Sequence, residues 1–138
     1  MTLFLLDTNI VSDMMRDPQG SAAKRAVQIA EKTPDARFHT SVIVDCELLY
    51  GLAKKPQARL EAAYHRTMGT LKVLPLEPAV AQSYADLRHR LTNGGLTLDA
   101  NDLLIAAHAL SLNAILVSAD AAFARVPGLQ LENWLASA

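Results

Sequence analysis

The chain holds one cysteine, few aromatic residues, almost no net charge and no long apolar run. The single Cys46 excludes an intramolecular disulfide, so a reducing compartment is expected. Three Phe, three Tyr and one Trp argue against a protein that grips single strands mainly by base stacking. A net charge of −1 argues against a simple electrostatic binder of nucleic acid. Met1 to Leu6 has no basic region and is too short for a signal peptide. No stretch approaches membrane-spanning length. A cytoplasmic protein without membrane association is the expectation.

What is present is globular. Hydrophobic residues make up 51% and charged residues 20% of 138, enough for one domain over residues 1–138 with a real core. Leu3-Phe4-Leu5-Leu6 stops at Asp7, as a buried parallel strand would. Thr8 or Asn9 can cap a helix starting near Ile10. After the break at Asp17-Pro18-Gln19-Gly20, helices are expected at Ser21–Lys32 and, capped by Ser41, at Val42–Lys54, with a short strand Arg37–Thr40 between them. Pro56 separates a helix from Gln57 to Met68, and a strand Lys72–Leu76 follows. Pro78 opens a helix to about Leu91, which Asn93-Gly94-Gly95 stops. A helix Asn101–Leu112, a strand Ala114–Val117, a loop or short helix to Phe123 and an edge segment Leu129–Leu131 complete the chain. Strands alternating with helices imply an α/β fold, a parallel sheet covered on both faces.

Four acids stand out in this pattern. Asp7 and Asp120 lie just past the carboxyl ends of strands, where parallel sheets bind ligands. Glu47 and Asp102 are expected in the first turns of helices entering from the same side. Carboxylates gathered in one place repel each other unless a cation neutralises them. An oxygen-only site suits a hard divalent ion, Mg²⁺ or Mn²⁺, and such ions commonly serve phosphate chemistry. With these four set aside, ten acidic and thirteen basic residues remain, so a weakly basic rim is compatible with the overall charge.

Each acid has a bland reading. Asp7-Thr8-Asn9 makes an ordinary helix cap, and Asp102 in a first turn favours the helix dipole. Asp120 after Ile115-Leu116-Val117-Ser118 suits a turn. On a helical wheel Asp45 falls among Val42, Leu49 and Leu52, whereas Glu47 falls with Tyr50 and Lys54, so burial makes Asp45 a rival ligand. Asp99 and Asp102, three residues apart, share a helix face if the helix starts early enough. Ser118 is placed to hydrogen-bond a ligand carboxylate. His39, His65, His89 and His108 lack metal-cluster spacing; His108, on a helix apolar all round, reads as a packed core residue. Lys54, Lys55, Arg59 and Arg66 read as a solvated face, with phosphate contact the minority reading.

Four segments, Leu5-Leu6-Asp7-Thr8-Asn9, Cys46-Glu47-Leu48-Leu49-Tyr50-Gly51, Asn101 to Ala109 and Phe123 to Leu129, occur in an order and spacing that resembles the PIN-domain ribonucleases. Within them the chain is similar to the VapC toxins of bacterial toxin–antitoxin pairs, from about Leu3 to Trp134. The resemblance implies a three-layer α/β/α fold with a short central parallel sheet of four to five strands. It implies that Asp7, Glu47, Asp102 and Asp120 bind Mg²⁺ or Mn²⁺ and support endonucleolytic cleavage of RNA, with Asn9, Asp99 and Ser118 as accessory residues. It places the signature glutamate at Glu47 rather than Asp45. It further implies a homodimer, a larger assembly with a VapB-type antitoxin that blocks the site, and toxicity through arrested translation. The chain departs from the family at Val44, where Thr is frequent, at Asp45, where an apolar residue is usual, and at Ser118, where Thr is more common. Two other readings compete: a phosphatase or dehalogenase with Asp7 as nucleophile, which lacks the usual second acid because Asn9 stands there, and a non-catalytic binding domain whose acids only cap helices.

Overall fold

A computed structural model describes residues 1–135. Five strands, β1 (Thr2–Leu6), β2 (Ala36–Ser41), β3 (Lys72–Leu74), β4 (Ile115–Val117) and β5 (Gln130–Glu132), form one sheet in the order β3-β2-β1-β4-β5, every pair parallel. Six α-helices intervene: α1 (Thr8–Arg16), α2 (Ser21–Lys32), α3 (Val42–Lys54), α4 (Ala58–Met68), α5 (Ala79–Asn93) and α6 (Ala100–Leu112), with a 3₁₀ turn at Ala121–Arg125. The expected α/β/α layering with a parallel sheet is the observed one.

β1 is central because it is apolar on both faces, with Phe4, Leu5 and Leu6 buried. One face carries α1, α2 and α4, and there Phe4, Phe38 and Trp134 form an aromatic cluster with centroids 5.5 to 6.0 Å apart. The other face carries α5 and α6. Leu103 and the run Ile105 to Ala109 are all buried, as a helix without a polar face requires. Asn113, in the left-handed conformation at φ 52°, ends α6 and turns the chain into β4.

The chain departs from β1 to β2 on one side and returns to β4 on the other. The carboxyl end of β1 is therefore the point where strand order reverses, the place at which open parallel sheets leave a crevice. Asp7 stands at that point.

Several boundaries differ from the sequence expectation. Helix α1 begins at Thr8, not near Ile10, and its cap is Asp7, whose Oδ1 accepts from the Thr8 N–H at 2.8 Å. Asp takes this role because its side chain reaches the adjacent N–H from an extended backbone. Strand β3 ends at Leu74, before Pro75, and the turn after Asp120 runs to Arg125 instead of stopping at Phe123. On α3 the buried stripe is Val44, Leu48 and Leu52, while Leu49 is 46% exposed. The wheel grouping of Asp45 with Leu49 misplaced the apolar face by about one position.

Candidate active site

Four segments converge at the carboxyl edge of the sheet: the β1–α1 junction, α3, the start of α6 and the turn after β4. Asp7 follows β1 and is 4% exposed. Its Oδ2 accepts from the Ser118 hydroxyl at 2.8 Å, across 111 residues of chain. The same Ser118 oxygen accepts from the Asp120 N–H at 3.0 Å and the Asn9 amide at 3.4 Å. One donor and two acceptor positions exhaust a hydroxyl, so Ser118 is fully committed. Asn9 also accepts from the Ala119 N–H at 3.0 Å, which pins the segment after β4 onto the start of α1. Asn9 and Ser118 thus act on the position of Asp7 and Asp120. Ser118→Ala should cost about 1–3 kcal/mol, because it leaves a buried carboxylate without its donor; urea denaturation reads this directly.

Glu47 lies in the second turn of α3, not the first, and is half-buried. Its Oε1 accepts from the Thr8 hydroxyl at 3.0 Å, joining α3 to the start of α1. Thr8 is a residue that the sequence treated only as a cap; the spacing gave no signal for this bond. Asp45 is directed away from the cleft and accepts from the Tyr64 hydroxyl of α4 at 2.5 Å. That contact, not a buried apolar face, satisfies it, and burial with the nearby Asp45 charge pushes the Tyr64 hydroxyl up to about 12.

Asp102 sits in the first turn of α6, whose cap is Asp99, accepting from the Asn101 and Asp102 N–H groups at 3.0 and 3.5 Å. Asp120 caps the 3₁₀ turn, accepting from the Ala122 N–H at 2.9 Å.

The carboxylates feel one another. Burial raises Asp102 to about 6, reinforced by the charges of Asp99, Asp7, Asp120 and Glu47. Burial raises Glu47 too; the Thr8 hydroxyl opposes this, and Asp7 and Asp99 add to it. Asp7 is raised by burial and by Asp120, against the pull of Ser118 and the Thr8 N–H. Among the described residues no Lys, Arg or His pairs with any of these acids; the ion pairs are Met1–Asp35 and Arg16–Asp13. The cleft therefore concentrates negative charge that no cation among the described residues pairs with.

Among the described residues no three His, Cys, Asp or Glu groups stand close enough to hold an ion as they are placed. Four of the acids accept from separate donors instead, Asp7 from Ser118, Glu47 from Thr8, Asp120 from Ala122 and Asp99 from the α6 amides. Mutual repulsion favours that spreading, and a cation would reverse it. The donor set is all oxygen, which fits a hard divalent ion. Histidine is absent from it: His108 is buried, with Nδ1 2.9 Å from the Ser41 hydroxyl and a further bond to the Pro75 backbone, and packs as a core residue.

The PIN domain family matches residues 4–129 of this chain. The chain is 33% identical to Ribonuclease VapC2 of Rickettsia felis over 134 residues, 96% of this chain and 98% of the relative. It is 29% identical to the tRNA(fMet)-specific endonuclease VapC of Shigella flexneri, over 97% of this chain and 99% of the relative. Among solved structures, the crystal structure of VapBC2 from Rickettsia felis bound to a DNA fragment from its promoter superposes at a TM-score of 0.88, with 31% identity, covering 96% of this chain and 99% of that one.

Proposed function

The chain belongs to the PIN-domain family, and from that we propose that it is a metal-dependent endoribonuclease, the toxin of a VapBC-type toxin–antitoxin pair. The observation that carries this reading is the unneutralised cluster of carboxylates at the strand-order reversal, with Asp102 lifted to about 6 by burial and by its acidic neighbours. Relatives spanning nearly the whole chain bear the names of ribonucleases and of an endonuclease acting on a transfer RNA. On this reading residues 1–138 act as a single nuclease domain, a homodimer whose cleft a VapB-type antitoxin covers; that a solved relative is a VapBC complex supports the antitoxin as partner.

Asp7, Glu47, Asp102 and Asp120 would hold Mg²⁺ or Mn²⁺. Bound there, the ion supplies Lewis-acid polarisation of a phosphoryl oxygen and charge stabilisation at the leaving 3′ oxygen. The chain's own part is positioning and proton handling. Ser118 and the Thr8 N–H fix the Asp7 carboxylate, and Asn9 fixes the segment that carries Asp120. The Thr8 hydroxyl donates to Glu47 Oε1 and holds that carboxylate against the start of α1. A carboxylate oxygen not engaged by the ion takes the proton of the attacking water.

Purified protein should cleave single-stranded regions of RNA in Mg²⁺ or Mn²⁺ and stop when EDTA is added. Sequencing of the new ends after brief expression would identify the target RNA. Hydrolysis of a generic phosphomonoester with no RNA cleavage would replace this reading by the phosphatase one.

A further inference from the structure

We infer that the RNA strand leaving the acid cleft follows a groove between α1, α3 and the start of α4, with its backbone phosphates held by Arg16 and Lys55 and a nucleotide passing over Gly51. This rests on the ribonuclease reading above. A groove of about 340 Å³, floored mainly by the apolar side chains of Met15, Leu48, Leu52 and Leu60, has Glu47 at its cleft end and Arg16, Lys55 and Gln57 along its rim. A second groove of about 290 Å³ shares Arg16 and Gln57 with it and extends to Arg59. Glu47 is the sole acid lining either one. The path therefore begins at carboxylates that want a cation and continues past three cations, in a chain whose net charge is −1. A polyanion joined to a metal-bound phosphate matches that sequence of charges.

Gly51 supplies an independent reason. A glycine inside a helix costs about 1 kcal/mol relative to alanine. A Cβ at Gly51 would meet nothing within 4 Å, so packing within the chain does not demand the glycine. Its smallness keeps the groove wall clear for something outside the chain. Arg16 is paired with Asp13 at 3.4 Å, but with its side chain 70% exposed that pair is weak enough to be exchanged for a phosphate. An acidic peptide would also meet Arg16 and Lys55, but it would be repelled at the Glu47 end, where a metal-bound phosphate is attracted.

The test measures binding of a labelled single-stranded RNA of mixed sequence by fluorescence anisotropy across a salt series, on an Asp102→Asn background that stops cleavage. Adding Arg16→Ala and Lys55→Ala should lower the slope of log K against log salt by about 1.4, at about 0.7 per lost phosphate contact to a single strand. In the active protein the same pair should raise KM with kcat unchanged, the mark of lost uniform binding. Gly51→Leu should raise KM while leaving every cation in place. Lys24→Ala with Arg25→Ala, on the exposed side of α2, should move none of these, and melting temperatures verify that each variant folds. An unchanged slope and KM in the Arg16/Lys55 pair would overturn the inference, as would an equal loss in the α2 pair. Loss of oligoglutamate binding with unaltered RNA affinity would assign the groove to a protein partner and overturn it too. Wild-type protein that neither binds nor cleaves RNA would remove the ribonuclease reading itself; cleavage that is indifferent to the groove variants removes only this one.

Discussion

Asp102→Asn should leave the fold intact and lower kcat/KM for RNA cleavage by about 10³-fold or more. Loss of an ionic metal ligand is worth several kcal/mol at the transition state, and each 1.36 kcal/mol is tenfold in rate. Asparagine keeps the size of the side chain and removes the charge that Asp99, Asp7, Asp120 and Glu47 all oppose. The variant should therefore melt at a higher temperature than wild type in EDTA while losing activity in Mg²⁺, a pairing that simple misfolding does not produce. Asp7→Asn belongs in the same series, because asparagine can still cap α1 whereas alanine forfeits about 1 kcal/mol of capping. Single-turnover cleavage at saturating metal is the measurement. Full activity in both variants would remove these acids from the chemistry.

Mg²⁺ or Mn²⁺ should stabilise wild-type protein strongly and in a pH-dependent way. A ligand at a hundredfold its dissociation constant adds about 2.7 kcal/mol, which for a domain of this size is a rise in Tm of about 5–10 °C. The sign with pH follows from Asp102. Its folded-state pKa, about 6, lies above the ordinary 3.8, so the folded protein binds the proton more tightly than the unfolded chain does. Without metal, that contribution to stability is full below 3.8 and is lost as pH rises through about 6. Metal requires the ionised carboxylate, so its effect runs the other way. The thermal shift should be large above pH 6, shrink as pH falls through it, and be smaller in Asp102→Asn at every pH. A melting temperature indifferent to both cations would favour acids that merely cap helices.

Asp7, Asp99 and Asp120 do cap their elements, through the N–H groups of Thr8, Asn101 and Ala122. The bland reading and the functional one are therefore not rivals at these positions. A cap engages one carboxylate oxygen with the backbone and leaves the other for a second partner, as Asp7 Oδ2 has in the Ser118 hydroxyl. Glu47 caps nothing; its partner is the Thr8 hydroxyl of another helix, which helical pattern alone does not reveal. Its half-burial comes from α1 lying across α3, a contact between segments 39 residues apart.

The order of strands and helices, the buried character of β1 and α6, and the position of Asp7 and Asp102 at element ends were legible in the chain. Hydrophobic period and capping chemistry act within a few residues, so local sequence carries them. The sheet order β3-β2-β1-β4-β5, the bond from Ser118 to Asp7, the turning of Asp45 toward Tyr64 and the meeting of Thr8 with Glu47 were decided only by the folded molecule. Each joins segments between 15 and 111 residues apart. Pairing over such distances depends on strand register and on which helix faces pack, quantities that no short stretch of the chain contains.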